Sequence, residues 1–215
     1  ECEAVLTTEA GQVPQLLLQP GPHQVALTFD DGPVSPYTAL ILDILERYEV
    51  PATFFVVGSR VAVHADLVQR MVQEGHSVQN HGYDHWQLIG LSDQALRDQI
   101  DRTNGAIAAA GAARPRCLRP PYGAVDDRVR AIAAEAGLAT ILWDVNPADQ
   151  GASGWILGHT GGGDILLLHD AGGWATVNAL PAVIEGLQAQ GFEFVALCSL
   201  PGTAPRTGAG EPGDT

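Results

Sequence analysis

The chain has 215 residues, 46% hydrophobic and 17% charged, which is enough for one domain with a sizeable core and too apolar for a disordered chain. Its formal net charge is −14, which excludes the clustered Lys and Arg surface that a nucleic-acid backbone requires. No apolar run approaches the length of a membrane span, so no membrane span is expected.

Residues 1–20 read as an N-terminal extension, with a hairpin expected there. Val25–Phe29 is the first buried strand and runs into Asp30-Asp31-Gly32-Pro33. Ser35-Pro36 then reads as N-cap and first-turn proline of a helix over Tyr37–Tyr48, where Leu40, Ile41, Ile44 and Leu45 recur at helical spacing. Ala52–Val57 is a second strand, His64–Glu74 a helix and His76–Asn80 a third strand. Ser92–Ala110 carries Leu96, Ile100 and Ile107 on one helical face, with Asp and Arg residues opposite. Arg116–Arg119, Leu138–Trp143, Asp164–His169 and Phe192–Leu197 complete seven strands, with a helix over Ala179–Gln190. Strands alternating with helices predict parallel strands and helical crossovers, hence an α/β fold with a distorted, incomplete (β/α) barrel of about seven strands. The folded domain spans 21–200, and Pro201–Thr215 reads as a flexible tail or linker. Cys2, Cys117 and Cys198 lack the close pairs of a zinc–cysteine site. Cys2 and Cys198 would pair if the chain ends meet, while Cys117 falls in a core-like strand.

In parallel α/β architectures the ligand site forms at the carboxyl ends of the strands, so the strand exits are the places to look. Strand one ends in Asp30-Asp31 and strand three in Asn80-His81-Gly82-Tyr83-Asp84-His85. Strand four ends in Arg119-Pro120-Pro121-Tyr122-Gly123, strand five leads to Trp143–Asp149, and strand six ends in His169-Asp170. Each of these exits carries ionisable groups where a purely structural barrel is free to carry Ser, Asn or Gly. Adjacent carboxylates at a strand end face apart unless the chain bends, and Gly32-Pro33 supplies a bend. Asp30 and Asp31 can then divide labour, one holding a cation and one moving a proton, or the loop can simply cap the next helix. His81 and His85 are spaced as two ligands on one turn or tight loop, and Asp31 completes a two-imidazole, one-carboxylate set for one divalent metal. Nitrogen and oxygen donors make zinc the first expectation, with cobalt or another divalent ion as alternatives. His23, His64, His76 and His159 lack matching partners and read as ordinary polar residues.

Thr28–Pro33, His81–His85, Arg119–Gly123, the Asp149 segment and Leu166–Asp170, in that order, resemble the five motifs of the polysaccharide deacetylases. These form carbohydrate esterase family four, also called the NodB homology domain. The resemblance covers about Val25 to Leu197. It implies a metal-dependent deacetylase site in a groove of a distorted (β/α) barrel, with 21–200 as the catalytic domain. By the same resemblance Asp31, His81 and His85 hold the metal, Asp30 is the general base, and His169 the general acid. Arg119 is expected beside Asp30 and Asp149 beside His169. The backbone N–H of Tyr122, in the Pro120–Gly123 turn, is expected to help bind the oxyanion, and Leu167 to line the acetyl methyl pocket.

Two positions depart from the family pattern. Gln150 follows the motif-four aspartate where a tryptophan is common, and Asn146 stands where many relatives have an acid. Trp143, Trp155 and Trp174 are the aromatics that could compensate. The expected substrates are N-acetylglucosamine polymers or oligomers such as chitin, chitooligosaccharides or peptidoglycan, with acetylated xylan as the alternative. An impaired carbohydrate-binding protein is the alternative from a different class. A monomer acting outside the cell or at the cell wall, its signal peptide removed, is the accompanying expectation.

Overall fold

The computed structural model describes residues 17–147 and 153–199. Seven parallel strands, β1 (Gln24–Asp30), β2 (Thr53–Val56), β3 (Ser77–Asn80), β4 (Cys117–Leu118), β5 (Ala139–Thr140), β6 (Ile165–His169) and β7 (Glu193–Phe194), form a curled sheet. The order is β5-β4-β3-β2-β1-β6, with β7 on the entry half of β1. β1 is therefore central: it pairs with β2, β6 and β7, and no residue of it after Gln24 is more than marginally exposed. Its continuous Val-Ala-Leu-Thr-Phe run is what a strand covered on both faces requires. Past β5 the chain returns to the free side of β6, where the Asp144 and Val145 N–H groups both bond to the Ile165 carbonyl. The lone bridge between Val145 and Leu166 brings the ends of the sheet together as a distorted (β/α) barrel.

Helices α1 (Tyr37–Arg47), α2 (Gly58–Val61), α3 (Ala65–Gln73), α4 (Asp93–Ala109), α5 (Asp127–Glu135), α6 (Ser153–His159) and α7 (Trp174–Ala189) surround the sheet. The largest core cluster joins β1 and β2 to α1, α3 and α7 through Phe29, Phe54, Ile41, Leu45, Val68, Met71, Ile184 and Leu187. Phe29 and Phe54 stack with ring centroids 5.0 Å apart, and burying each such side chain contributes about 1.5–3 kcal/mol.

Several elements differ from the sequence expectation. The fourth, fifth and seventh strands shrink to two residues each: past β4 and β5 the chain turns into loops that carry Arg119 and the Leu142 carbonyl it bonds, and past β7 it leads to Cys198. α5, unassigned from the sequence, starts at Asp126, whose carboxylate accepts the Val129 N–H, and buries Val129, Ile132 and Ala133. α6 is likewise unassigned from the sequence. α7 begins five residues before the expected Ala179 and tolerates Pro181 inside it. Ser35 does not cap α1: the cap position is Pro36, with no side-chain hydrogen bond. Instead the Thr38 hydroxyl accepts the Val34 N–H.

The disulfide joins Cys117 to Cys198, not Cys2 to Cys198. Cys117 on β4 and Cys198 beyond β7 are both buried, in a cluster with Ala26, Phe55 and Leu197. The bond spans 81 residues of sequence, a closure worth roughly 4 kcal/mol in the chain-entropy account. The expected hairpin at 1–20 lies outside the described residues except for 17–20, where the Leu17 carbonyl accepts the Cys198 N–H. Cys2 and the tail from 200 lie outside them too. Among the described residues no helix is long and apolar enough to cross a membrane.

Candidate active site

The site begins where β1 ends. Asp31 has φ 78, and this left-handed bend sends the two neighbouring carboxylates to different partners. Asp30 is 3% exposed and lies against Arg119, whereas Asp31 is half-buried and faces His81 and His85. A buried bracket from β6 fixes the bend: Asp170 accepts the Gly32 N–H through Oδ1 and the Thr38 hydroxyl through Oδ2, each at 2.7 Å. The Asp170 N–H in turn donates to the Asp30 carbonyl. Only glycine fits at position 32, since a Cβ there would lie 1.9 Å from Asp170 Oδ2. The Arg60 guanidinium donates to the Asp31 carbonyl, and the Val57 N–H to that of Gly32.

The loop after β3 supplies the two imidazoles. Asn80 turns it, accepting the Gly82 N–H and donating to Asn104 Oδ1 and the Ile100 carbonyl of α4. Gln99 of α4 accepts the N–H groups of Tyr83 and Asp84 and donates to the Asp84 carboxylate. His85, with φ 59, then folds back over His81, their ring centroids 5.1 Å apart. Asp31 Oδ1 is 2.9 Å from His85 Nε2 and 3.4 Å from His81 Nε2. One donor atom from each of the three residues lies within 4.8 Å of the others.

Arg119 is fully buried at the exit of β4. Its Nη1 donates to Asp30 Oδ1 at 2.8 Å and to Thr28 Oγ1 at 2.6 Å, and its Nη2 to the Leu142 carbonyl. The guanidinium lies over the Phe55 ring, 4.1 Å from its centroid. The same residue's carbonyl pairs with His81 Nδ1 at 2.6 Å, which leaves Nε2 toward the two aspartates. Burial pulls the Arg119 cation down, and Asp30 opposes that by charge and hydrogen bond.

The electrostatics favour a cation. Burial opposes ionisation of Asp31, but hydrogen bonds from His81 and His85 and their charges outweigh it and hold the carboxyl well below its usual range. Burial likewise pulls His81 down; the Asp30 charge, with the hydrogen bond and charge of Asp31 and the Arg119 carbonyl, pushes it up on balance. Two acids and two imidazoles so close, with one imidazole already oriented through Nδ1, fit the donor set of a divalent ion, and Asp31, His81 and His85 are the residues able to hold it.

The other expected residues sit around this cluster. His169 ends β6 in register with Asp30, and Leu167, in register with Thr28, is buried two residues before it. Pro120 is buried, whereas Tyr122 has φ 63, is 67% exposed and sets its ring against His85 at 4.7 Å. Asp149 and Gln150 lie outside the described residues. Trp143 stands near the Arg119 guanidinium, Trp155 stacks on His159, and Trp174 meets Tyr37. Gln99, Asn104, Thr38 and Arg60 were not signalled by the strand-exit argument, and Asp170, named there at the exit of strand six, was given no role. The usable signal for Gln99 and Asn104 was polar residues on the same buried face of α4 as Leu96 and Ile100.

Residues 18–141 match the family model described as polysaccharide deacetylase. The chain is 39% identical over 197 residues to the peptidoglycan-N-acetylglucosamine deacetylase PgdA of Listeria monocytogenes, covering 89% of this chain and 41% of the relative. It is 39% identical over 202 residues to a chitooligosaccharide deacetylase of a Bradyrhizobium strain, covering 84% and 91%. The solved structure of the peptidoglycan N-acetylglucosamine deacetylase Bc1960 superposes with a TM-score of 0.79 at 32% identity, covering 85% of this chain and 91% of that one. With the family model, these relatives and the curled parallel barrel in agreement, the chain belongs to the polysaccharide deacetylases of carbohydrate esterase family four.

Proposed function

We propose that this chain is a metal-dependent hydrolase that removes acetyl groups from N-acetylglucosamine in a polysaccharide or oligosaccharide. The observation that carries this reading is the division of Asp30 and Asp31, one against Arg119 and the other against two imidazoles. A divalent ion held by Asp31, His81 and His85, zinc or a similar metal, would supply Lewis-acid polarisation of the acetyl carbonyl. Asp30 is then free of metal duty, and Arg119 keeps its carboxylate oriented toward an attacking water, whose proton it accepts. As that water's oxygen bonds to the acetyl carbon, the carbonyl oxygen gains negative charge, and the Tyr122 backbone N–H donates to it. His169, on the neighbouring strand exit, protonates the sugar nitrogen as the C–N bond breaks, and acetate and the free amine leave. Asp149 is the proposed orienting partner of His169, and Leu167 and Pro120 the apolar floor under the acetyl methyl group. Action on a cell-wall or extracellular polymer, by a monomer, completes the proposal.

Acetate release from N-acetylglucosamine oligomers and from acetylated xylan tests it. Release from the oligomers that Asp30→Ala abolishes supports the N-deacetylase. Release from xylan alone would make the protein an O-esterase. No release from either, with metal bound, would favour an impaired carbohydrate-binding protein.

A further inference from the structure

The mechanism leaves one exposed aromatic pair beside the site unused. Trp174, the first residue of α7, is 56% exposed, and its ring meets Tyr37, the first residue of α1, edge to face at 5.7 Å. An edge-to-face contact occupies at most one face of a ring, so the exposed indole keeps an open face. The pair is tied to the reacting centre through both segments. Trp174 follows His169 by five residues, which limits their Cα separation to about 18 Å. The intervening Gly172 folds back on His169, where an added Cβ would lie 3.4 Å from that of His169. On the α1 segment Thr38, next to Tyr37, bonds to Asp170 at 2.7 Å. Tyr122 and Trp86, 67% and 55% exposed, flank His85 at the β3 and β4 exits on the other side of β1. A polymer laid across the strand exits would therefore pass exposed aromatic residues on both sides of β1.

We infer that Trp174, backed by Tyr37, is a stacking platform for a sugar unit of the glycan on the His169 side of the reacting residue. The inference rests on the deacetylase reading for the identity of the glycan, but not for the contact itself. A pyranose ring presents a face of C–H groups that suits an open indole, while its hydroxyls stay in water. The platform adds affinity for long substrates without touching the reacting atoms.

The test measures binding apart from turnover. Titration calorimetry compares penta-N-acetylchitopentaose with N,N′-diacetylchitobiose on wild type, Trp174→Ala and Trp174→Phe. Hydrolysis of 4-nitrophenyl acetate by the metal-loaded protein serves as the control for an intact centre. The platform predicts that Trp174→Ala raises the pentamer Kd about tenfold, that Trp174→Phe recovers most of the loss, and that ester hydrolysis is unchanged. An unchanged pentamer Kd in Trp174→Ala, or a wild type that does not bind the pentamer, overturns it. Failure of the deacetylase reading shows differently: wild type binds the pentamer in a Trp174-dependent way and releases no acetate from it.

Discussion

β3 carries a buried histidine at each end, and the two behave in opposite ways. His76 sits just before the strand, 8% exposed, with Nδ1 accepting the Ala52 N–H and its ring edge-on to Phe54. His81 sits just after it, 2% exposed, with Nδ1 on the Arg119 carbonyl and Nε2 toward Asp30 and Asp31. Burial disfavours charge on both. At His76 burial dominates, Arg70 adds repulsion, and the imidazole is held down at about 4. At His81 the carboxylates win, and the imidazole is pushed up. The acids at the exit of β1, two strands away in the sheet, and not burial alone, separate a core histidine from a candidate ligand.

The sharpest way to break this comparison is to remove each histidine in turn. His81→Gln should abolish stoichiometric zinc binding and bring acetate release to background, while His76→Gln leaves both at wild-type levels. Metal content and acetate assays on the purified variants decide it, and equal loss in both would erase the distinction. Chelation followed by zinc addition should remove and restore activity in wild type, and do neither in His81→Gln. Next in size, Asp30→Asn should lower kcat by about 10²–10⁴-fold and keep the metal, because it removes a base and not a ligand.

The two histidines should also part in their effect on stability with pH. The unfolded chain protonates His76 near 6.5 and the folded chain only near 4. Its contribution to stability is therefore whole above pH 6.5 and is lost as pH falls through that window, by roughly 3 kcal/mol at the lower end. Urea melts between pH 7 and 4 should be flatter for His76→Gln than for wild type. The smallest effect concerns the bracket under the acids. Asp170→Asn replaces one of two acceptor oxygens by a donor and leaves the Gly32 N–H or the Thr38 hydroxyl badly paired, at a cost of about 1–3 kcal/mol. Thermal melts would show it, and a Tm equal to wild type would argue against the bracket.

How much of this was legible in the sequence follows from which interactions are local. The seven strands and their parallel direction were legible because apolar runs such as β1 alternate with segments of helical periodicity, while their order in the sheet was not. The bend at Asp30-Asp31 was legible from Gly32-Pro33, and the imidazole pair from its spacing. The disulfide was not legible, since pairing depends on where Cys198 returns to the sheet after β7, and chain-end proximity pointed to the wrong partner. The brackets were not legible either. Gln99 reaches Tyr83 and Asp84 across 15 or 16 residues, and Asp170 reaches Gly32 across 138, so neither announces itself in a local window. Arg119 illustrates the middle case. Family resemblance places it beside Asp30, but its full burial, the Thr28 hydroxyl and the Phe55 ring beneath it emerge only from the packed barrel.

The central claim is that Asp31 serves the metal and Asp30 the proton. The most direct test is zinc titration calorimetry with acetate release from penta-N-acetylchitopentaose on wild type, Asp30→Asn and Asp31→Asn. The account predicts one zinc per chain and turnover in wild type, zinc without turnover in Asp30→Asn, and greatly weakened zinc binding in Asp31→Asn. Full turnover by Asp30→Asn, or undiminished zinc affinity in Asp31→Asn, would contradict it.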